Sequence, residues 1–187
     1  MPVDTDTGSA RETVQAVVLA GTSRIPYRRA GSGEHVLLLQ GAAQGGDAPP
    51  LLAAVARRFR VFVPELPGDG RPGDAPLAAR LRGFLDGAGL RRVHLVADEA
   101  SAAEALWLAL SEPERVHRLA IVLAENADPA FPAGLPLERF AQSGQPLLVV
   151  RREAAPRDGG GAGEASADER IVRFLAGGAE GDAAAGK

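Results

Sequence analysis

Val93-His94-Leu95-Val96-Ala97-Asp98-Glu99-Ala100-Ser101-Ala102-Ala103-Glu104-Ala105-Leu106 is the stretch that decides the fold. A short apolar strand runs into a helix through a turn of small residues, with Glu99 as the one side chain of any reach at its apex. In such a strand-turn-helix elbow the two backbones pass close together. The positions two before, two after and three after the apex must therefore be small. Ala97, Ser101 and Ala102 meet that demand. Taking Ser101 as the apex would place Glu99 where only a small residue fits and leave Ala97 without a role, so the glutamate register is the better one.

The flanking segments alternate in the same way. Val36-Leu37-Leu38-Leu39, Val61-Phe62-Val63, Val116 to Leu123 and Pro146 to Val150 are strand-length apolar runs, as strands covered on both faces require. Between them, helical spacing covers about Pro50 to Phe59 and about Leu77 to Asp86, with Leu77, Leu81, Phe84 and Leu85 on one face. A helix also follows the elbow, with Trp107 expected in the core, and another closes the chain over Asp168 to Leu175. The order predicts an α/β fold, a mostly parallel sheet with helices on both faces. Val14 to Ala20 and Ile25 to Arg29, joined at Gly21-Thr22-Ser23, read as an antiparallel pair at its edge. Residues 124 to 145 form a Pro-rich connection with a short helix near Leu137 to Gln142. From Glu153 to Gly163 the chain is too polar and Gly-rich for a core strand. Residues 1–12 are expected to be a flexible tail, 13–176 a single domain, and 177–187 a disordered tail.

Composition narrows the function. The 187 residues suffice for one core, and a net charge of -3 with arginines interspersed among acids gives no footprint for nucleic acid or an anionic membrane. Cysteine is absent, which excludes a disulfide framework, a thiolate metal site and a cysteine nucleophile. The acidic, polar start lacks the plan of a signal peptide, and no run approaches the ~18 apolar residues of a membrane span, so a cytoplasmic address is expected. No metal or cofactor is expected. The expected partner is a small-molecule substrate or ligand.

The stretch Ala97-Asp98-Glu99-Ala100-Ser101-Ala102 resembles the nucleophile elbow of the α/β-hydrolase superfamily, Gly-x-Ser-x-Gly-Gly, with glutamate in the serine position. Other segments agree in order. Ile25 to Gly33 followed by Val36 to Gly41 is similar to the family's first strands and its His-Gly loop, with Gln40 in the histidine position. Val61 to Gly70 is similar to the strand ending in Pro-Asp-Leu-Pro-Gly-x-Gly, and Glu112 to Leu119 to the family's Pro-Glu-Arg-Val segment. The resemblance covers about residues 13 to 176. It implies an α/β-hydrolase-like fold truncated at the last strand and lacking a full cap domain, the cap being reduced to about residues 124–145. The family's acid after Val150 is also displaced: Ala155 stands at its position and leaves Asp158 as a substitute.

A serine-type hydrolase needs an imidazole beside its nucleophile. His35, His94 and His117 all stand near the starts of their strands, whereas ligands bind beyond the C-terminal ends. Five extended residues separate His94 from Glu99, roughly 16 Å. Carboxylates instead gather at the C-terminal edge: Glu65, Asp98, Glu99, Glu125 and Glu153. If partly buried among these carboxylates, Glu99 suits general acid or base work. The resemblance assigns an oxyanion hole to the backbone amides of Ala42 and Ala100, and Gln40, Gln44, Asp98 and Glu125 are candidates for orienting substrate. Each has a plainer reading. Asp98 and Glu99 also suit a helix start, Glu65 its loop, Arg151 and Arg152 an ion-paired edge, and Ser101 a tight turn. Three functions follow: a non-hydrolytic lyase, isomerase or cyclase acting on a small carbonyl compound through Glu99; a catalytically inactive pseudo-hydrolase that forms homo- or hetero-oligomers through an exposed sheet edge; and a residual esterase.

Overall fold

The computed structural model describes residues 13–20, 23–40, 50–66, 75–125, 127, 137–152 and 165–177. In chain order these form β1 (Val14–Ala20), β2 (Ser23–Ala30), β3 (His35–Leu39), α1 (Pro50–Ala56), β4 (Arg60–Pro64), α2 (Ala75–Gly87) and β5 (Val93–Asp98). A 3-10 turn over Glu99–Ser101 follows, then α3 (Ala102–Ser111), β6 (Val116–Leu123), α4 (Leu137–Gln142), β7 (Leu147–Arg151) and α5 (Ala167–Leu175). The strands make one sheet in the order β1-β2-β4-β3-β5-β6-β7. β1, β2 and β4 pair antiparallel, with Val18 opposite Ile25, and every neighbouring pair from β4 through β3 to β7 is parallel. The edge hairpin, the mostly parallel sheet and the alternating helices match the sequence reading.

Alternation along the strands builds two cores. Leu37, Leu39, Leu95, Ala97, Leu119 and Ile121 face α2, α3 and α4, where Leu81, Phe84, Leu106 and Phe140 close over them. Their neighbours Val36, Leu38, Val96, Ala120 and Val122 face α1 and α5, against Leu52, Val55, Ile171 and Phe174. β3 and β5 are therefore buried on both sides, as their unbroken apolar runs demand.

Two local features fix how the layers meet. Gly31, at φ 74° in the β2–β3 turn, lies so close to the end of α1 that a Cβ would overlap the carbonyl oxygens of Ala56 and Phe59. Ser166 caps α5 through a reciprocal box, its hydroxyl accepting from the Glu169 amide at 3.2 Å while the Glu169 carboxylate accepts from the Ser166 amide at 3.0 Å.

Some sequence expectations are corrected. Trp107 is not core. It is 41% exposed on the outer side of α3, with the Arg139 guanidinium 5.9 Å from its ring centroid. α1 stops at Ala56, because the amides of Arg58 and Phe59 turn back onto the Val55 carbonyl to bring the chain into β4. The expected tails at 1–12 and from 178 onward, residues 126 and 128–136 of the connection at 124–145, and the Gly-rich stretch fall outside the described residues, whereas the expected short helix of that connection is present as α4.

Candidate functional site

The elbow forms where the sequence places it. β5 is central, flanked by β3 and β6, and ends at Asp98, which pairs with Val122. Asp98 keeps an extended backbone (φ -76°, ψ 174°) while its Oδ1 accepts from the Ser101 amide at 2.9 Å. That bond tightens the turn and begins the helix, so Asp98 acts as a cap. Glu99 opens the turn, partly exposed, at the C-terminal edge of the sheet. Ala97 and Ala102 are fully buried on either side, the close approach that selects small residues there. The Ser101 side chain makes no cap hydrogen bond with α3, consistent with its reading as a tight-turn residue.

Neighbouring strands bring other candidates to the same edge. Leu39 pairs with Ala97, so Gln40, the next residue, stands level with Asp98. Glu125 lies two residues beyond the end of β6, exposed, and its carbonyl accepts from Arg151 Nη1 at 3.2 Å. Glu65 is exposed after β4, and its amide donates to the Pro26 carbonyl at 2.8 Å, a loop-shaping bond. Arg151 also donates to the Ala127 carbonyl, and Arg152 pairs with Asp168 at 3.4 Å, so both arginines serve the sheet edge. Ala42, Gln44, Glu153, Ala155 and Asp158 lie outside the described residues. Among the described residues no three His, Asp or Glu side chains converge as a metal-holding group.

The imidazoles are at the other end. His35 begins β3, His94 is second in β5 and His117 second in β6. His94 and His117 stack with ring centroids 4.9 Å apart, and His94 Nε2 lies 3.6 Å from Glu34. Phe59 closes over His94 edge-on at 5.7 Å, and His35 meets Phe62 at 5.6 Å. Burial, followed by the neighbouring His117, pushes the His94 pKa from 6.5 down to about 4 against the opposing pull of Glu34. Burial, with Arg92 and Arg118, lowers His117 too. This neutral pair is a packing element one strand length from Glu99.

Sequence reasoning overlooked Glu104. It is 5% exposed on α3, and its Oε2 has no hydrogen-bond partner. The signal was present, since Glu104 stands four residues before buried Leu108 and so shares its helical face.

No family model matches the chain. It is similar to two 2-hydroxy-6-oxononadienedioate/2-hydroxy-6-oxononatrienedioate hydrolases. One, from Cupriavidus pinatubonensis, is 29% identical over 67% of this chain and 52% of the relative. The other, from Paraburkholderia phymatum, is 30% identical over 72% of this chain and 52% of the relative. The chain thus spans about half the length of the curated relatives it matches. Among solved structures, a carboxylesterase from Bacillus subtilis superposes with a TM-score of 0.50 and 20% identity, over 59% of this chain and 43% of that one. No helix of the described residues is long and apolar enough to cross a membrane.

Proposed function

We infer, from a chain that is a partial α/β-hydrolase, that Glu99 serves as a general acid or base on a small carbonyl compound in a proton-transfer, elimination or ring-forming reaction rather than in serine-type hydrolysis. One observation carries this reading: the apex of the elbow holds a carboxylate, while the three imidazoles lie in the first two positions of their strands, at the opposite edge of the sheet. Serine attack without an adjacent base lacks the group that takes its proton. A carboxylate needs no such helper to remove a proton from the carbon beside a carbonyl. Glu99 accepts that proton and returns it to carbon or to a leaving oxygen, and the Ala100 amide is proposed to hold the enolate oxygen, as it would in an oxyanion hole. Gln40, level with Asp98, is proposed to orient the carbonyl. The names of the curated relatives describe 2-hydroxy-6-oxo acids, which supports a keto acid as the substrate class.

Replacing Glu99 with Gln should abolish turnover of a keto-acid substrate while leaving the far-UV circular dichroism unchanged. A fully active Glu99→Gln protein removes the reading. A second reading has its own support. Among the described residues β7 is the last strand of the sheet, and Val149 on it is 44% exposed, which supports an interface on that side. A protein that remains monomeric at high concentration and captures no partner would count against it.

A further inference from the structure

α1 and α5 lie side by side over one face of the sheet, and between them opens a groove of about 750 Å³. Its lining includes the charged side chains Arg57, Arg58, Asp168, Glu169 and Arg173, with Val172 among the apolar residues. The acids are already engaged within the fold. Asp168 pairs with Arg152, and Glu169 closes the helix cap on the Ser166 amide. The arginines are not: among the described residues, the guanidinium groups of Arg57, Arg58 and Arg173 have no hydrogen-bonding or ion-pairing partner. Arg57 and Arg58 follow the end of α1 just before β4, and Arg173 is in the last turn of α5, so the helices bring their basic ends to the N-terminal edge of the sheet, away from Glu99. Arg118 adds charge at the same edge, its guanidinium 5.6 Å from the Phe174 ring centroid and donating to the Phe174 carbonyl.

In a chain whose net charge is -3, this local excess of unpaired guanidinium groups is not a consequence of composition. Guanidinium presents forked donors that match the paired oxygens of phosphoryl and carboxylate groups, and clustered cations favour a ligand with at least two negative charges. We propose that the α1–α5 groove is a binding site for a small polyanion, held by Arg57, Arg58 and Arg173. The site is separate from the elbow and does not depend on the reading of Glu99.

Isothermal titration calorimetry with inorganic pyrophosphate and, separately, with citrate tests the site and distinguishes a phosphoryl ligand from a polycarboxylate. At least one anion should bind at a single site with a dissociation constant below about 1 mM, and affinity should fall as salt rises. Arg58→Gln and Arg173→Gln should each weaken binding by about tenfold, whereas Arg24→Gln, an exposed side chain on β2, should not. All three side chains are on the surface, and circular dichroism would verify that the variants fold. Failure of both anions to saturate the protein, or equal losses in Arg24→Gln and Arg58→Gln, would overturn the proposal.

Discussion

Acid should loosen this protein at its histidine-lined edge. His94 has 3% of its side chain exposed, sits under Phe59 and is stacked on His117, with Glu34, Arg92 and Arg118 the charged groups nearby. Its pKa falls from 6.5 to about 4 on folding, so below pH 6.5 the unfolded chain binds a proton that the folded chain refuses. The associated stability is complete above pH 6.5 and is lost as pH falls toward 4. The gap corresponds to about 3 kcal/mol when fully developed, most of it gone by about pH 4.5. His94→Phe keeps a ring against Phe59 and His117 but removes the titration. Denaturant unfolding followed by circular dichroism at pH 7 and at pH 4.5 should show the wild type losing about 2 kcal/mol more than the variant, His117 and the carboxylates contributing equally to both. Parallel losses in the two proteins would refute the reasoning.

Three further substitutions test the packing. Glu104→Leu should raise unfolding stability by about 1–3 kcal/mol, because it removes a buried carboxylate oxygen that has no partner; a loss of stability would reveal a partner for Glu104. Gly31→Ala should cost about 3 kcal/mol or prevent folding, since it combines a positive φ with overlap onto two carbonyls, and thermal melting would register it. Ser166→Ala should cost about 1 kcal/mol through loss of the α5 cap, measurable as a lower denaturant midpoint.

The fold was largely legible because its signals are local. Val36 to Leu39 and Val116 to Leu123 announce two-sided burial by composition, and the small residues around Glu99 announce a tight elbow before any contact is known. The imidazoles could be placed at the far edge by counting along their strands, since β5 has a fixed rise per residue. What sequence misses depends on neighbours far along the chain. Trp107 lies on a helical face that the sheet and other helices leave uncovered, which its own segment does not record. Glu104 is buried by elements that one helix cannot foresee. The α1–α5 groove joins residues more than a hundred positions apart, and the freedom of its arginines follows from Asp168 and Glu169 being engaged elsewhere.

Catalysis at the elbow stands or falls with proton transfer at carbon by Glu99. Deuterium uptake from heavy water at the carbon beside the carbonyl of a 2-oxo acid, followed by mass spectrometry, measures that step alone. Uptake should fall to the uncatalysed background in Glu99→Gln and remain at the wild-type rate in Ser101→Ala. Exchange that survives in Glu99→Gln, or disappears in Ser101→Ala, would contradict the assignment.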